Sequence, residues 1–531
     1  MWSLDPDVQA TIANRLGWLG SAQLMADSLP RLTAFADGIR ADGFTDVVLL
    51  GMGGSSLAPE VLRAVVGVAP GSPRLQMLDS TDPAAIRAVA TPPETTLYLL
   101  ASKSGTTIEP NCLAAHFAAT LERSGISRWA DHFVAITDES TALAARARAE
   151  SFRDVFINPS DIGGRYSALS FFGMVPAALM GQDVASIVAW GLAMLAACEP
   201  GFGEGQDHPA VALGLAMGVG AGARRDKLTL ISPPALESFG LWAEQLVAES
   251  TGKQGRGVVP IAGEPLLAID RYGDDRLFMS IAFDGADAAA AAPTAQALAR
   301  AGHPAMSIVV PEPEAIGAEF IRWEVATAVA SALMAINPFD EPNVQQAKDA
   351  TRVLLGRYEA EGALPINPPT RVLADRTTLT LSRAAVAALG TRGAEHFFDT
   401  TQAGDYVGLL AYLGPDPALA GQLNELRLAI GERTGTATMF GYGPRYLHST
   451  GQLHKGGPNR GVFVLVTATA DPDLPIPGQP FSFGTLEFAQ ALGDFTSLDE
   501  TGRRALHIHL PSPDPRALAG VADLLLHRPD A

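Results

Sequence analysis

The sequence predicts an α/β protein with two doubly wound parallel sheets and a third, C-terminal α/β domain. Apolar runs typical of buried strands alternate with segments of helical spacing over residues 46–138, and again over residues 227–335. A Pro-rich segment, "EAEGALPINPPTR" (359–371), separates these two series from four further strand candidates. We therefore expect domains at 1–205 and 206–358, a linker at 359–371 and a third domain at 372–531.

The strand candidates follow one another in a regular order after a helical segment at residues 1–44. In such α/β sheets, ligands bind at the carboxyl ends of the strands, so polar residues that follow a strand are the first site candidates. The candidates are "DVVLLG", "RLQMLDS", "TLYLLA" and "HFVAITDES" in the first series, "KLTLISP", "RLFMSIAFDG" and "AMSIVVPEP" in the second, and "TLTLS", "YVGLLAYL", "GVFVLVTA" and "ALHIHL" in the third.

Length and composition limit the classes of function. The 531 residues carry a net charge of −19, which argues against a nucleic-acid or anionic-membrane partner. Only two cysteines occur, so we expect a reducing compartment without disulfides. The start "MWSLDPDVQA" lacks a signal pattern, and the longest apolar stretch, near residues 209–225, is short and Gly-rich for a membrane span. These features predict a cytoplasmic protein.

The turn "SKSGTT" (102–107) lies between a strand and a helix and is rich in hydrogen-bond donors. Backbone N–H groups at a helix start have no intrahelical partner, and such a turn is a natural anion site. A helix cap alone needs one hydroxyl, whereas this turn has four hydroxyls and a lysine. We therefore expect an anion to bind here.

A second Gly-rich turn, "GMGGSS" (51–56), also closes a strand and opens a helix. A dinucleotide site is one interpretation, with Asp79 as the ribose-binding acid, but Ser56 stands where the third glycine of that motif belongs. Together with the 102–107 turn at the same sheet edge, the segment fits the phosphate ester of a small molecule better.

Three further residues carry possible chemistry. Arg165 follows two glycines and is either a stabiliser of developing negative charge or a structural arginine. Glu249 lies at a helix end, where the dipole would raise its pKa; it is either a general base or a solvated surface residue. Lys348 falls within a helix that Pro342 can open, and is unremarkable by itself.

The segments "GMGGSS", "SKSGTTIE", "GGRYS", "ESTGK" and "FDEPNVQQAK" occur in an order that resembles the phosphoglucose isomerase family, over about residues 40–355. The segments "RLGWL" and "STGQLHKGGPNRG" are similar to the isomerase half of bifunctional transaldolase–phosphoglucose isomerase proteins. The resemblance implies two sugar-isomerase domains that interconvert glucose 6-phosphate and fructose 6-phosphate through an enediolate, in glycolysis and gluconeogenesis. It implies no metal or other cofactor, and it leaves the oligomeric state open, with a homodimer as one option.

The resemblance also implies roles for individual residues. Glu249 would move the proton between C1 and C2, Arg165 would stabilise the enediolate, and Lys348 would assist at the ring or the C5 oxygen. Gln245 would contact the sugar hydroxyls. The residues implied to bind the sugar phosphate are Gly54, Ser55, Ser102, Lys103 (chiefly through its backbone), Ser104, Thr106 and Thr107.

The chain departs from the family pattern in two places. Pro110 stands where a further threonine is usual, which removes one donor, and no histidine occurs between His208 and His303, where the ring-opening histidine is expected. We expect the third domain to supply it from the polar segment "YLHSTGQLHKGGPNRG" (446–461), with His454 as the candidate. The alternatives are that this segment only packs domains together, or that Lys348 and water open the ring.

Two other classes of function stay open at this level. A phosphosugar-binding regulator on the same fold would keep the 102–107 turn and need neither Glu249 nor Lys348; both are present, which favours the enzyme. The third domain, in turn, could serve oligomerisation or partner binding instead of chemistry.

Overall fold

The computed structural model describes residues 5–199 and 208–526, so the boundary expected at 205–206 lies outside the described residues. Within these ranges the strands form three sheets, of five, four and six strands. This is the α/β architecture that the alternating pattern predicts, with two parallel sheets followed by a third α/β unit.

The first sheet has the strand order β2-β1-β3-β4-β5, and all its pairs are parallel. Its central strands are buried along their whole length, in keeping with helices on both faces. The strands are β1 (Asp46–Gly51), β2 (Arg74–Leu78), β3 (Thr96–Ala101), β4 (Phe133–Asp138) and β5 (Asp154–Asn158). The helices are α1 (Pro6–Ala13), α2 (Ser21–Ala41), α3 (Leu57–Val65), α4 (Pro83–Arg87), α5 (Ile108–Arg123), α6 (Ala142–Ala149), α7 (Phe171–Leu179) and α8 (Val184–Ala197).

The second sheet has the order β7-β6-β8-β9 and is also parallel throughout. One apolar core runs under the first and second sheets, so the two domains are packed together rather than merely linked. The strands are β6 (Lys227–Ile231), β7 (Val259–Ile261), β8 (Arg276–Phe283) and β9 (Ala305–Val310). The helices are α9 (Pro209–Gly222), α10 (Glu237–Thr251), α11 (Ala286–Arg300), α12 (Ile316–Leu333) and α13 (Pro342–Glu361).

The third sheet has the order β10-β11-β15-β14-β12-β13; the β10–β11 and β11–β15 pairs are antiparallel and the remaining pairs are parallel. The strands are β10 (Arg371–Val372), β11 (Thr378–Leu381), β12 (Tyr406–Tyr412), β13 (Ala437–Tyr442), β14 (Gly461–Ala468) and β15 (Arg504–Leu510). The helices are α14 (Arg383–Leu389), α15 (Pro417–Thr434), α16 (Gly451–Gly456), α17 (Phe483–Glu500) and α18 (Pro515–Leu526).

The third domain is held against both others by buried polar contacts as well as apolar ones. Arg445, just after β13, pairs with Asp79 at the end of β2, with Nε 2.6 Å from the carboxylate. The Arg427 guanidinium of α15 donates to the carbonyl oxygens of Ala262 and Gly263 in the second domain. Apolar residues of α17 join the core above the first sheet. The third domain is therefore placed to contribute side chains between the sheets.

Four strands, β5, β7, β10 and β13, were not among the sequence candidates, and two other segments differ from the sequence prediction. Helix α13 extends to Glu361, so it continues into the segment expected to be a linker. The segment 446–461, expected to be a polar loop, instead forms a 3-10 turn (Arg445–His448) and the short helix α16, both largely buried. Among the described residues there is no helix with the length and apolar character needed to cross a membrane.

Candidate active site

A cavity of about 740 Å³ lies where the first and third domains meet. Its walls come from the 102–107 turn, the first turn of α5, helix α13 and the 3-10 turn that follows β13. The polar side chains that line the cavity include Ser104, Thr106, Thr107, Glu109, Lys348 and His448. Residues of three separate sequence motifs therefore face one space.

The 102–107 turn is organised by its own hydroxyl groups. Ser102 is buried, its hydroxyl lies 3.1 Å from the Thr107 hydroxyl, and it accepts a hydrogen bond from the Gly105 N–H. The hydroxyls of Ser104 and Thr106 lie 3.0 Å apart at the cavity wall. The turn leads directly into α5, whose first N–H groups have no intrahelical acceptor. This arrangement suits a phosphate group at the cavity end formed by the turn.

Glu109 and His448 form a carboxylate–imidazole pair across the domain boundary. Nε2 of His448 lies 2.8 Å from Oε1 of Glu109, and Gln490 of α17 donates to the same oxygen at 2.6 Å. Burial alone would raise the pKa of Glu109, but the His448 imidazole reverses that effect and holds the pKa below its usual value. The Glu109 carboxylate therefore orients the ring, and Nδ1 is the nitrogen left for a ligand.

Arg165 and Glu249 form a second pair in the interior; neither lines the cavity, and they are linked to its wall through Gln245, which contacts both Glu249 and His448. Nη1 of Arg165 lies 3.0 Å from Oε1 of Glu249, and the two residues are 4% and 8% exposed. The other guanidinium nitrogens donate to the Ser250 hydroxyl and to the carbonyl oxygens of Pro338 and Asp340. The guanidinium is therefore fixed in position next to a carboxylate.

The environment of Glu249 suits a general base. Burial raises the pKa of this carboxyl above its usual value, the positive charge of Arg165 opposes the rise, and the negative charge of Glu341 adds to it. The position in the last turn of α10 agrees with the sequence prediction, but burial is a larger cause than the helix end. A carboxyl with a raised pKa accepts a proton more readily near neutral pH.

Gln245 connects the two pairs. Its Nε2 lies 3.2 Å from Oε2 of Glu249 and donates to the backbone carbonyl of His448 at 2.7 Å. Gly53 packs directly against the same carbonyl group: its φ is +54°, and a Cβ at this position would lie 2.4 Å from the His448 carbonyl oxygen. Only glycine allows the 51–56 turn to approach this closely. The base, the amide and the His448 turn are thus packed into one unit.

The remaining predicted residues fall into two groups. Lys348, on α13, lines the cavity and is solvent-exposed, so it is available to a ligand. The side chain of Lys103 is turned away, because its ammonium pairs with Asp138 and donates to the carbonyl of Ser160 at 2.9 Å; the expected contact through its backbone stays a prediction. Gly54 and Ser55 do not line the cavity either; a Cβ at Gly54 would lie 2.1 Å from the Gly164 carbonyl oxygen. Gly54 therefore serves the close packing of the Arg165 turn.

The structure does not bring His454 to the cavity. Its imidazole is 1% exposed and packs between Tyr446 and Phe463 in the third domain, with ring centroids 5.9 and 4.9 Å away. Neither ring nitrogen has a hydrogen-bond partner among the described residues, and burial holds the pKa well below its usual value. A neutral, enclosed imidazole cannot exchange protons with a ligand, so the structure argues against His454 as the ring-opening group. Of the two histidines in this segment, His448 is the one that lines the cavity.

Sequence reasoning missed Glu109 and Glu341, and the ribose-binding role of Asp79, an alternative that the sequence already disfavoured, gains no support. Glu109 had a detectable signal, because an acid in the first turn of a helix after an anion-binding turn is well placed near the dipole. Asp79 accepts hydrogen bonds from Ser56 and Arg445, so its carboxylate is not free for a ribose.

Comparisons with known proteins identify relatives of this chain. The family model for phosphoglucose isomerase matches residues 32–195. A glucose-6-phosphate isomerase of Rubrobacter xylanophilus is 30% identical over 379 residues, which span 61% of this chain and 85% of that protein.

Two solved structures share the fold. One is a glucose-6-phosphate isomerase of Chlamydia trachomatis, with a TM-score of 0.54 and 23% identity over 63% of this chain and 74% of that one. The other is a protein of Thermus thermophilus described as hypothetical, with a TM-score of 0.56 and 24% identity over 66% of this chain and 94% of that one.

Proposed function

Because this chain belongs to the phosphoglucose isomerase family and is a sugar-phosphate isomerase, we propose that it interconverts glucose 6-phosphate and fructose 6-phosphate. The observation that carries this proposal is the buried Arg165–Glu249 pair beside a cavity lined by hydroxyl groups. Moving a proton next to a carbonyl group needs one base and one group that stabilises negative charge. The reaction would serve glycolysis and gluconeogenesis.

Substrate binding follows from the chemistry of the cavity. The phosphate group would lie at the turn formed by Ser104, Thr106 and Thr107, where hydroxyls and the α5 N-terminus provide donors. Lys348 would add a positive charge at the wall formed by α13. The sugar would then extend from the turn towards Gln245 and Glu249.

Ring opening is the first chemical step, because sugar phosphates exist mainly as closed rings. The C1 hydroxyl loses its proton, the bond between C1 and the ring oxygen breaks, and the ring oxygen gains a proton. We assign this exchange to His448, whose Nε2 is fixed by Glu109 and whose Nδ1 has no protein partner among the described residues. Histidine donates and accepts protons near neutral pH.

Isomerisation follows on the open chain. Glu249 removes the proton from C2 of the aldose, the electron pair forms the C1–C2 double bond, and the carbonyl electrons move to the C1 oxygen to give the enediolate. The proton of the C2 hydroxyl passes to the C1 oxygen, the C2 oxygen becomes the ketone carbonyl, and the same carboxyl returns its proton to C1. The positive charge of Arg165 would stabilise the negative charge that develops on the oxygens. One carboxylate thus serves both halves of the transfer.

The direct test is an assay of purified protein with fructose 6-phosphate and identification of the product by NMR. Glucose 6-phosphate is the expected product, and a mannose phosphate in its place would change the assigned substrate. A protein that binds fructose 6-phosphate without turning it over would contradict the enzyme and favour a regulatory role.

A further inference from the structure

Arg165 is shared by two carboxylates. Its Nη1 atom lies 3.0 Å from Oε1 of Glu249 and 3.1 Å from Oε2 of Glu341. Both Nη2 contacts are to backbone carbonyl oxygens, at 2.6 and 2.9 Å, and Nε is bound to Ser250. The guanidinium therefore has little freedom to move towards either acid, and the two carboxylates compete for the same nitrogen.

Glu341 occupies a distinctive place in the chain. It is the residue before Pro342, which opens α13, and its side chain is 45% exposed, whereas that of Glu249 is 10% exposed. The neighbouring Asp340 pairs with Lys253 at 2.6 Å, which fixes the segment that carries Glu341 against the end of α10. The second carboxylate is thus held at Arg165 by local structure.

We propose that Glu341 is a positioning residue for the proton-transfer base: by sharing Nη1 of Arg165 with Glu249, it prevents that base from entering an exclusive ion pair. This inference rests on the proposed function. A carboxylate bound only to an arginine is stabilised in its charged form, which makes it a weaker base. A second carboxylate offsets part of the guanidinium charge and leaves Glu249 able to accept a proton.

The charges around Glu249 give the direction in which Glu341 shifts the pKa of that carboxyl. The charged groups that face it are Arg165 from the 3-10 turn after β5, Lys253 after α10 and Glu341 before α13. The two cations lower the pKa of Glu249 and Glu341 raises it. Burial lowers the pKa of Lys253 to about 8, so this lysine stays charged below pH 7. Its own titration therefore does not overlap the pH range used to test Glu249.

The test is the pH dependence of kcat between about pH 5 and pH 7. Glu341→Gln keeps the shape and an acceptor for Arg165 but removes the charge. We expect the acid limb of the profile to move to lower pH by roughly 0.5–1 unit, because a partly exposed charge acts through a screened medium. Glu341→Ser, which introduces a side chain able to cap α13, should move the acid limb in the same direction.

Matched variants separate this role from a structural one. Glu341→Asp retains the charge and should keep the limb near its wild-type position, and Glu359→Gln, an exposed change on the same helix, should leave the profile unaltered. An unchanged acid limb in Glu341→Gln and Glu341→Ser, with or without a lower kcat, would overturn the proposal.

A second measurement does not depend on turnover. Infrared difference spectra of the wild type against Glu249→Gln, recorded in water across the same pH range, report the protonation of the Glu249 carboxyl. The Glu341→Gln background should shift that titration to lower pH; an unshifted titration would contradict the proposal. If the wild type shows no isomerase activity, the proposed function fails, but this titration still decides whether Glu341 tunes Glu249.

Discussion

Oε1 of Glu109 lies 2.8 Å from Nε2 of His448, although the two residues are 339 positions apart and belong to different domains. Glu109 is on the first turn of α5, beside the 102–107 turn, and His448 ends the 3-10 turn after β13. The third domain is therefore part of the candidate active site, and its removal would take away His448, to which we assign ring opening.

The first prediction concerns ring opening. His448→Asn should slow turnover of the closed-ring substrate by roughly the 10²–10⁴-fold typical of a lost acid–base group. Exchange of the C1 or C2 proton on an open-chain analogue should be affected much less, because Glu249 performs that step. Turnover kinetics and deuterium exchange followed by NMR measure the two effects separately.

His454→Leu is the matched control for this experiment. It removes the imidazole that packs between Tyr446 and Phe463 and leaves an apolar side chain in its place. We expect near wild-type turnover. A large loss in His454→Leu without a loss of stability, or equal effects of His448→Asn on both reactions, would remove His448 from ring opening.

The second prediction concerns the base. Glu249→Gln should reduce kcat by about 10²–10⁴-fold or more, with little change in KM, because shape is kept and basicity is lost. Glu237→Gln, an exposed change at the start of the same helix, is the control. Activity within a few-fold of wild type in Glu249→Gln would show that another group moves the proton.

The raised pKa of Glu249 gives a third prediction. The carboxyl must be ionised to accept a proton, so kcat should fall as pH decreases through its pKa. Because burial raises that pKa, the fall should begin above the usual range of a glutamate, which is about 4.3 in model peptides. A kcat that stays constant down to that range would contradict the environment described for Glu249.

The fourth prediction concerns phosphate binding. Ser104→Ala combined with Thr107→Ala removes two hydroxyl donors from the cavity wall, and hydrogen bonds to charged groups contribute about 1.5–3 kcal/mol each. KM should rise at least tenfold while the melting temperature changes little. Ser124→Ala, beyond the other end of α5, should leave KM unchanged. A complex with the phosphate group bound elsewhere would overturn the assignment.

The fifth prediction concerns stability. Glu324 on α12 is 1% exposed, Oε1 has no hydrogen-bond partner among the described residues, and burial raises its pKa well above the usual value. The folded state therefore keeps a proton on Glu324 that the unfolded state loses. The resulting contribution to the free energy of unfolding is fully present below the pKa that Glu324 has in the unfolded chain, and it is lost as pH rises towards the pKa of Glu324 in the folded protein. Glu324→Gln, which has no proton to lose, should abolish this decrease in stability with rising pH.

The measurement is the free energy of unfolding from denaturant titrations at about pH 5 and about pH 8. The value for Glu324→Gln, relative to the wild type, should be greater at the higher pH, by up to about 1.4 kcal/mol for each unit by which the pKa is raised. The same difference at both pH values would mean that Glu324 is not protonated in the folded protein.

Much of the fold was predictable because its signals are local. Most of the parallel strands are short, continuous apolar runs, and Pro342 marks the start of α13 as its missing N–H requires. The strand at Asp154–Asn158 was missed because polar residues at both its ends leave only a short apolar run, and Val259–Ile261 was missed because it is short. The joint core of the first two domains has no local signal at all.

The candidate site was also predictable only where its residues lie in distinctive short segments. Arg165, Glu249 and the 102–107 turn each occur in a distinctive short segment; the structure pairs Arg165 with Glu249, whereas the turn lines a cavity that neither of them lines. Lys103, in contrast, carries the expected charge but pairs with Asp138, a residue on the next strand. The sequence does not show which neighbouring strand will provide a partner for a side chain.

The expectation of a histidine from the third domain came from the resemblance to the family. The sequence by itself determined the strand-to-helix turns and the position of Glu249 at the end of α10. These features depend on hydrogen bonding and chain geometry within a few residues of each position. Only the tertiary structure decided between His448 and His454. The two are six positions apart in one segment, and the docking of the third sheet turns His448 towards Glu109 and encloses His454 between two aromatic rings. The direction of a side chain across a domain boundary depends on packing over hundreds of residues, which no short segment encodes.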